Sequence, residues 1–262
     1  DDWPDCYILK ALRYPGSQYS KEEAIRARKA FYAQCTQIDY EIRLLIGTLR
    51  ECNLLDDTII VFLSDHGDML FDHNMVAKRL MYDNSARIPL IITGKPALEY
   101  RGKGYEDKLA TMSDVMPTLL DMCGISIPDH VDGFPLFSSN KREYIYGEVS
   151  NGEKATRMIR NERYKLIYYP TGNVKQLFDM VNDPHETHDL SGTDEYKPIL
   201  ESMEKTLITE LYGSDLDWIK DGRLVGVEAP AEFQPNPDFG LYNQRGYHWP
   251  QPKGYSNKGK NA

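Results

Sequence analysis

The chain has 262 residues, a formal net charge of −9, 41% hydrophobic residues and 27% charged residues. This composition is typical of a globular protein with one large domain or two modest ones. The negative charge argues against a nucleic-acid-binding surface, and the chain has no apolar run near the roughly 18 residues of a membrane span. Neither nucleic acid nor membrane is therefore an expected partner.

The four cysteines are widely spaced and form no C-x-x-C pair, which argues against a zinc framework. In a chain of this size they are predicted to be reduced core residues.

The first half of the chain predicts a long helix and two apolar strands. Ser20 and Glu23 form a capping box, and apolar residues three and four positions apart then predict a helix over 21–51. The runs 58–63 ("TIIVFL") and 88–93 ("IPLIIT") are apolar without alternation, which is typical of neighbouring strands in a parallel sheet covered by helices.

A second helix, "VMPTLLDMC", follows the strands, with Gly124 at its C-terminal end. This order of elements predicts an α/β fold in which part of a mostly parallel sheet is flanked by helices.

The second half differs in texture. Short aromatic and β-branched runs predict a small antiparallel sheet at residues 144–148, 156–160, 164–169 and 176–179. A C-terminal helix is predicted over 195–212.

We therefore divide the chain into 1–137, the α/β part, 138–212, a small antiparallel α+β subdomain, and 213–262, an extended tail rich in Pro, Gly and aromatic residues. The aromatic side chains of the tail need surface to bury against. The tail is expected to wrap around the body or to mediate assembly into a homo-oligomer.

Ionisable residues follow the first strand directly, in "VFLSDHGD". In open α/β sheets, ligands lie beyond the carboxyl ends of the strands. The Asp65 carboxylate and the His66 imidazole are competent metal ligands, and Gly67 allows a sharp turn. Taken alone, the tripeptide Asp65-His66-Gly67 fits a strand-terminal turn with local hydrogen bonds equally well. Lys78, taken alone, fits a solvated lysine.

Longer stretches resemble the sulfatases of the alkaline phosphatase superfamily. The segment ending in "TIIVFLSDHGDML" resembles the helix, turn, central strand and metal-binding loop of that family. "DNSARIPLIIT" is similar to its "ARVPLI" strand, and "MSDVMPTLLDMCGI" to its "DLAPTLLDLAGI" helix. "RMIRNERYKLIYY" and "QLFDMVNDPHETHDLS" resemble its C-terminal hairpin and its "LYDLENDPxExxNL" signature. The stretches occur in the family's order from about residue 31 to 191.

The resemblance implies an alkaline phosphatase-like fold and specific roles for three residues. Asp65 and His66 are expected to ligate a divalent cation, usually Ca²⁺ in this family, with Mn²⁺ or Mg²⁺ as alternatives. Lys78 falls where the family has a lysine that binds the sulfate oxygens. A hard cation and a lysine can together neutralise charge on a sulfate ester as its S–O bond breaks. The implied substrate is a sulfate-ester small molecule or a sulfated glycan.

The family's nucleophile, a formylglycine made from Cys or Ser in a C-x-P-x-R or S-x-P-x-R motif, has no counterpart in this sequence. The resemblance begins partway through the family pattern, and the chain starts at Asp1 without Met or a signal sequence. We therefore expect the C-terminal half of a sulfatase, inactive by itself and partnered by the missing N-terminal half of the catalytic domain. His73 is expected to shape the loop rather than to act in catalysis.

Two alternatives stay open at the level of sequence. A phosphonate monoester or phosphodiester hydrolase of the same superfamily would also use Asp and His ligands, often with a transition metal. A non-catalytic assembly module would use the aromatic tail instead.

Overall fold

A computed structural model describes residues 3–105 and 107–234, together with the backbone of 242–243 and 246–247. The helices are α1 (Tyr7–Ser17), α2 (Lys21–Glu51), α3 (Asp83–Ala86), α4 (Lys95–Arg101), α5 (Val115–Met122) and α6 (Lys197–Glu210). The strands are β1 (Ile60–Leu63), β2 (Leu90–Thr93), β3 (Ile145–Val149), β4 (Thr156–Arg160), β5 (Tyr164–Tyr169), β6 (Val174–Asp179), β7 (Ile219–Lys220), β8 (Arg223–Leu224), β9 (Tyr242–Asn243) and β10 (Gly246–Tyr247).

Helix α2 has the bounds that the sequence predicts, and its capping box is present. The Ser20 hydroxyl accepts from the Glu23 amide at 3.2 Å, and the Glu23 carboxylate accepts from the Ser20 amide at 2.8 Å. None of the residues of α2 is buried. Many of its large apolar side chains are exposed, namely Ile25, Tyr32, Ile38, Tyr40, Leu44 and Leu45. Much of the apolar surface of this helix is therefore uncovered within the described part of the chain.

The direction of β1 and β2 corrects the prediction of a mostly parallel sheet. The two strands pair antiparallel, with Ile60 opposite Thr93 and Leu63 opposite Leu90. Parallel neighbours need a crossover, usually a long helix, whereas residues 64–89 return the chain through a loop that holds only a three-residue 3-10 helix, Asp72–Asn74, and the four-residue α3. Nor are the strands covered on both faces, because Phe62 in β1 is 37% exposed.

Strands β3 to β6 form the predicted antiparallel sheet, in chain order. The β4–β5 hairpin turns at Asn161, whose amide donates to the Tyr164 carbonyl at 3.0 Å. The side chains of β5 from Lys165 to Tyr169 are buried. Two buried positions in succession require cover on both faces of the sheet.

The two faces of this sheet carry separate hydrophobic cores. One face packs on α6 through Ala155, Ile159, Leu166, Tyr168, Leu177, Met203, Leu207, Leu211, Trp218 and Leu224. The other face packs on α1 and on the loop after β1, through Trp3, Ile8, Leu9, Met69, Met75, Leu80, Met81, Tyr82, Met158, Ile167, Tyr169, Phe178 and Met180. The loop after β1 is thus fixed against the sheet. The boundary proposed at residue 137 stays a prediction.

The four cysteines are free, but the prediction that they lie in the core is wrong. Cys6 is half-buried, and the other three are exposed. Cys35 lies on α2 and Cys52 at its C-terminal end, so both share the exposure of that helix. Across the described ranges, no helix combines the length and apolar character needed to cross a membrane.

The predicted tail is described only in its first part. Trp218 is buried beside Tyr168, and Phe233 lies 5.4 Å from Tyr14, measured between ring centroids. The side chains of the remaining tail aromatics lie outside the described residues, namely Phe239, Tyr242, Tyr247, Trp249 and Tyr255. The expected homo-oligomer through the tail stays a prediction.

Candidate functional site

Asp65 and His66 follow the end of β1 and are held by local hydrogen bonds. The Asp65 carboxylate accepts from the His66 amide at 2.9 Å, and the Ser64 hydroxyl donates to the His66 carbonyl at 2.6 Å. The Asp65 side chain is 77% exposed and that of His66 is 36% exposed. Both ionisable side chains can therefore be reached from solvent.

The hydrogen-bond partners of His66 assign its tautomer. Nδ1 lies 2.8 Å from the Gly67 carbonyl, which can only accept, so Nδ1 carries the proton. Nε2 lies 2.6 Å from Lys78 Nζ, which can only donate, so Nε2 offers a lone pair. The Asp65 carboxylate lies 3.2 Å from the same Nε2. The three residues singled out from the sequence thus meet at one atom of the imidazole.

Gly67 connects the loop of Asp65 and His66 to α3 through backbone contacts. Its amide donates to the Ser85 carbonyl at 2.8 Å. A Cβ atom at this position would lie 2.0 Å from the Asn84 carbonyl oxygen, which is closer than any side chain permits. Glycine is required here for the close approach of two backbone segments.

The loop that carries Lys78 is strained and tightly held. Six of its non-glycine residues have positive φ, namely Leu70, Phe71, His73, Asn74, Ala77 and Arg79. Such conformations cost energy and persist only where packing and hydrogen bonds enforce them. Met69 and Met75 are fully buried, and the Met69 amide donates to the Ala77 carbonyl at 2.8 Å. These restraints return the chain so that Lys78 reaches His66.

Asp72 joins this loop to two helices. Arg28 of α2 donates to the Asp72 carboxylate at 2.6 Å and to the Leu70 carbonyl at 2.6 Å. The side-chain amide of Asn84 in α3 donates to the second carboxylate oxygen of Asp72. The loop is therefore fixed from both sides.

His73 lies outside the cluster around His66 and packs in an aromatic group. Its ring centroid lies 4.6 Å from that of Trp3 and 5.3 Å from that of Tyr82. Burial lowers the pKa of His73, against the opposing effects of Asp72 and Asp183. These contacts agree with the structural role expected for it.

Sequence reasoning missed a group of buried charges behind the site. Lys165 donates to Glu186 at 2.6 Å and also to Asp83, whose carboxylate in turn accepts from Arg160 at 2.6 Å. Asp83 lies 82 positions before Lys165 and 103 positions before Glu186 in the sequence, so no local pattern joins them. The available signal was the resemblance itself, because Lys165 and Glu186 lie in two of the stretches quoted above.

The pKa values of the two carboxyl groups in this network are shifted in opposite directions. Burial acts to raise the pKa of Asp83, but the charges of Lys165 and Arg160 outweigh it, so this pKa lies below its usual value. Burial raises the pKa of Glu186, and Lys165 offsets the effect only in part. The difference follows from the partners, because Asp83 has two cations beside it whereas Glu186 has one and also faces Asp83.

Asp65 and His66 have the donor chemistry that the expected cation requires. Two ligand atoms that each lie about 2.3 Å from one ion, with a right angle between the two bonds, are about 3.3 Å apart. The Asp65 carboxylate oxygen and His66 Nε2 are separated by 3.2 Å. Among residues 3–105 and 107–234, no group of three or more His, Cys, Asp and Glu side chains is arranged to hold a metal ion. The pair therefore fits part of a cation site, and further ligands would have to come from elsewhere.

Comparison with protein families shows what the chain is similar to. The family described as "N-sulphoglucosamine sulphohydrolase, C-terminal" matches residues 71–212, and the sulfatase family matches residues 10–125. An arylsulfatase of Clostridium perfringens (strain 13 / Type A) is 36% identical over 214 residues, which are 79% of this chain and 44% of that protein. The chain spans less than half the length of the curated relatives that it matches.

Solved structures share the fold of this chain. A 2-O GAG sulfatase superposes with a TM-score of 0.71 at 23% identity, over 80% of this chain and 51% of the other. A second protein, solved in complex with its substrate D-glucosamine-2-N,6-O-disulfate, superposes with a TM-score of 0.53 at 27% identity, over 65% of this chain and 38% of the other. With family models that match along most of its length, the chain belongs to the sulfatases of the alkaline phosphatase superfamily.

Proposed function

We propose that this chain forms part of an enzyme that hydrolyses sulfate esters, and that Asp65, His66 and Lys78 are its contribution to the active site. The observation that carries the proposal is the meeting of these three side chains at His66 Nε2, with Lys78 Nζ at 2.6 Å and Asp65 at 3.2 Å. A carboxylate, an imidazole lone pair and an ammonium group on one exposed loop suit the binding of a cation and an anion side by side.

Each residue has a distinct task in this proposal. Asp65 and His66 Nε2 would bind a divalent cation, most often Ca²⁺ in this family, with Mn²⁺ or Mg²⁺ as alternatives. When bound, that cation would withdraw charge from the sulfate group. Lys78 would turn its ammonium group from His66 to a sulfate oxygen and stabilise the charge that develops there. Nδ1 of His66, held by the Gly67 carbonyl, keeps the ring in the tautomer that leaves Nε2 free of a proton.

The nucleophile would come from a part of the enzyme that this sequence does not contain. We propose that a formylglycine and the remaining cation ligands belong to an N-terminal half of the catalytic domain, which packs against α2. The exposed apolar side chains of α2, such as Ile38, Leu44 and Leu45, support this arrangement, since apolar surface of this extent favours burial. The chain alone is then inactive.

The proposed substrate class is a sulfated sugar or a small sulfate ester. Support comes from the relative that was solved with D-glucosamine-2-N,6-O-disulfate as its substrate.

Hydrolysis of 4-nitrophenyl sulfate tests this proposal, with the chain assayed alone and together with an N-terminal half supplied as a second polypeptide. We expect turnover only from the combination, and loss of it on Lys78→Met. Lys95→Met is the control, because Lys95 is an exposed lysine that pairs with Asp56 away from the site. Turnover by the chain alone, or full activity of Lys78→Met, would contradict the proposal.

A phosphonate monoester or phosphodiester hydrolase is the second candidate, because an imidazole ligand suits Mn²⁺ and other transition metals better than Ca²⁺. A parallel assay with bis(4-nitrophenyl) phosphate, together with the metal content of the active preparation, separates the two. Faster turnover of the phosphate diester with bound Mn²⁺ would favour this second function.

A further inference from the structure

Four charged side chains join α3 to the four-stranded sheet behind the candidate site. Lys165 of β5 donates to Glu186 at 2.6 Å, to the Met81 carbonyl at 3.1 Å and to Asp83. Arg160 of β4 donates to both carboxylate oxygens of Asp83, at 2.6 and 2.9 Å. The second oxygen of Glu186 accepts from the Asp83 amide at 2.7 Å. The charges of the four side chains balance.

This network is buried, which makes its presence informative. The Lys165 and Glu186 side chains are 1% and 3% exposed, and that of Asp83 is 13% exposed. Buried ion pairs often contribute less to stability than apolar residues of similar size would. Glu186 moreover has φ +56°, so its backbone is strained in the conformation that presents its carboxylate. Stability alone does not explain such an arrangement.

The network is connected to the candidate site by a short path. Asp83 is the first residue of α3, and the Ser85 carbonyl of the same helix accepts from the Gly67 amide at 2.8 Å. Gly67 also packs directly on the Asn84 carbonyl. Since Gly67 follows His66 in the chain and its carbonyl fixes Nδ1 of that ring, the position of α3 determines where the His66 imidazole lies.

We propose that Asp83, Lys165, Arg160 and Glu186 are positioning residues that hold α3, and through Gly67 the Asp65–His66 pair, in register with the C-terminal sheet. The relevance to catalysis rests on the function proposed above, whereas the mechanical link rests on the contacts alone. The four-stranded sheet contributes no ligand to the site but fixes its position through two sets of hydrogen bonds. The first joins the sheet to Asp83 of α3, and the second joins Ser85 of α3 to Gly67. Loosening any member of the network should release the loop before it unfolds the protein.

Amide hydrogen exchange at Gly67 tests the link directly. Glu186→Gln keeps the shape of the side chain but removes its charge, so that it can no longer accept from both Lys165 and the Asp83 amide. We expect exchange at Gly67 to become about tenfold faster, or more, than the change in global stability of the variant accounts for. Asp215→Asn is the matched control, since it disrupts the buried Asp215–Arg157 pair, whose arginine lies on the same strand β4 as Arg160. Its effect at Gly67 should not exceed its effect on global unfolding.

A second variant and a second readout keep the test decisive. If Glu186→Gln does not fold, Arg160→Met removes the more exposed cation, whose side chain is 20% exposed. Broadening of the Asp65 and His66 amide signals by Mn²⁺ reports cation binding at the loop, and we expect it to weaken in the same variants.

The outcomes separate the two proposals. Exchange at Gly67 that changes no more than global unfolding in both variants would overturn the positioning role. Faster exchange at Gly67 supports the positioning role, even if Mn²⁺ broadens nothing in the unmodified chain. That second result would count against the proposed cation ligands alone.

Discussion

Lys78 Nζ lies 2.6 Å from His66 Nε2, the same atom to which the Asp65 carboxylate approaches within 3.2 Å. The ammonium group therefore sits where a cation would have to bind. If His66 binds a cation as proposed, Lys78 and that cation would compete for one lone pair, and the lysine would have to turn away. This competition predicts that substitutions of Lys78 and of His66 have opposite effects on the affinity for the cation.

Lys78→Met should strengthen divalent cation binding, and His66→Ala should weaken it. A lysine and a divalent cation about 4 Å apart repel by about 2 kcal/mol in water and by more near a protein surface, so removal of the lysine should improve the affinity for Mn²⁺ by at least about tenfold. Titration calorimetry with Mn²⁺ measures both effects. Weaker binding by Lys78→Met would show that the lysine supports the cation instead of displacing it.

Gly67→Ala should destabilise the protein by about 3 kcal/mol or more, because its Cβ would lie 2.0 Å from the Asn84 carbonyl oxygen. Gly47→Ala is the matched control, because Gly47 lies within α2 and a Cβ there meets nothing within 4 Å. That change should favour the helix by about 1 kcal/mol. Urea unfolding followed by circular dichroism measures both. Equal stability of the two variants would rule out the close approach of Gly67 to α3.

Asp215→Asn should cost about 3 to 5 kcal/mol, since it leaves the buried Arg157 guanidinium without its anion. The two side chains form a bidentate pair at 2.6 and 3.1 Å and are 7% and 4% exposed. Lys95→Met, which removes an exposed lysine, should cost less than about 1 kcal/mol. Thermal and urea unfolding compare the two. A loss below about 1 kcal/mol in Asp215→Asn would show that Glu148, whose carboxylate lies 3.9 Å from Arg157, replaces the missing anion.

His73 should make the protein less stable in mild acid. Burial lowers its pKa in the folded state below the ordinary value of 6.5. The unfolded chain then binds the proton at higher pH than the folded protein does, so the free energy of unfolding declines as the pH falls through 6.5 towards the folded pKa. The full contribution is present above pH 6.5.

Urea unfolding between about pH 7.5 and 5 measures this dependence. His73→Phe keeps an aromatic ring between Trp3 and Tyr82 and should flatten the decline. His130→Gln changes an exposed histidine and is the control. A decline of equal slope in His73→Phe and in the unmodified protein would assign the acid sensitivity to other groups.

Local patterns were sufficient for much of the fold. The capping box at Ser20 and the apolar spacing placed α2 at its observed bounds, and the short aromatic runs located β3 to β6. These features depend on residues a few positions apart, whose conformations are coupled through backbone hydrogen bonds. The adjacency of Asp65 and His66 after an apolar strand likewise needed no tertiary information.

Long-range contacts decided the remainder. The apolar run at 88–93 is compatible with either strand direction, and only the path of residues 64–89 made β2 antiparallel to β1. The approach of Lys78 to His66 depends on a loop with six left-handed residues, which its own sequence does not favour. The charges behind the site come from segments up to 103 residues apart. The sequence by itself determined which groups could bind a cation and a sulfate, whereas the tertiary structure determined that they meet, because packing of the loop on a distant sheet offsets its strain.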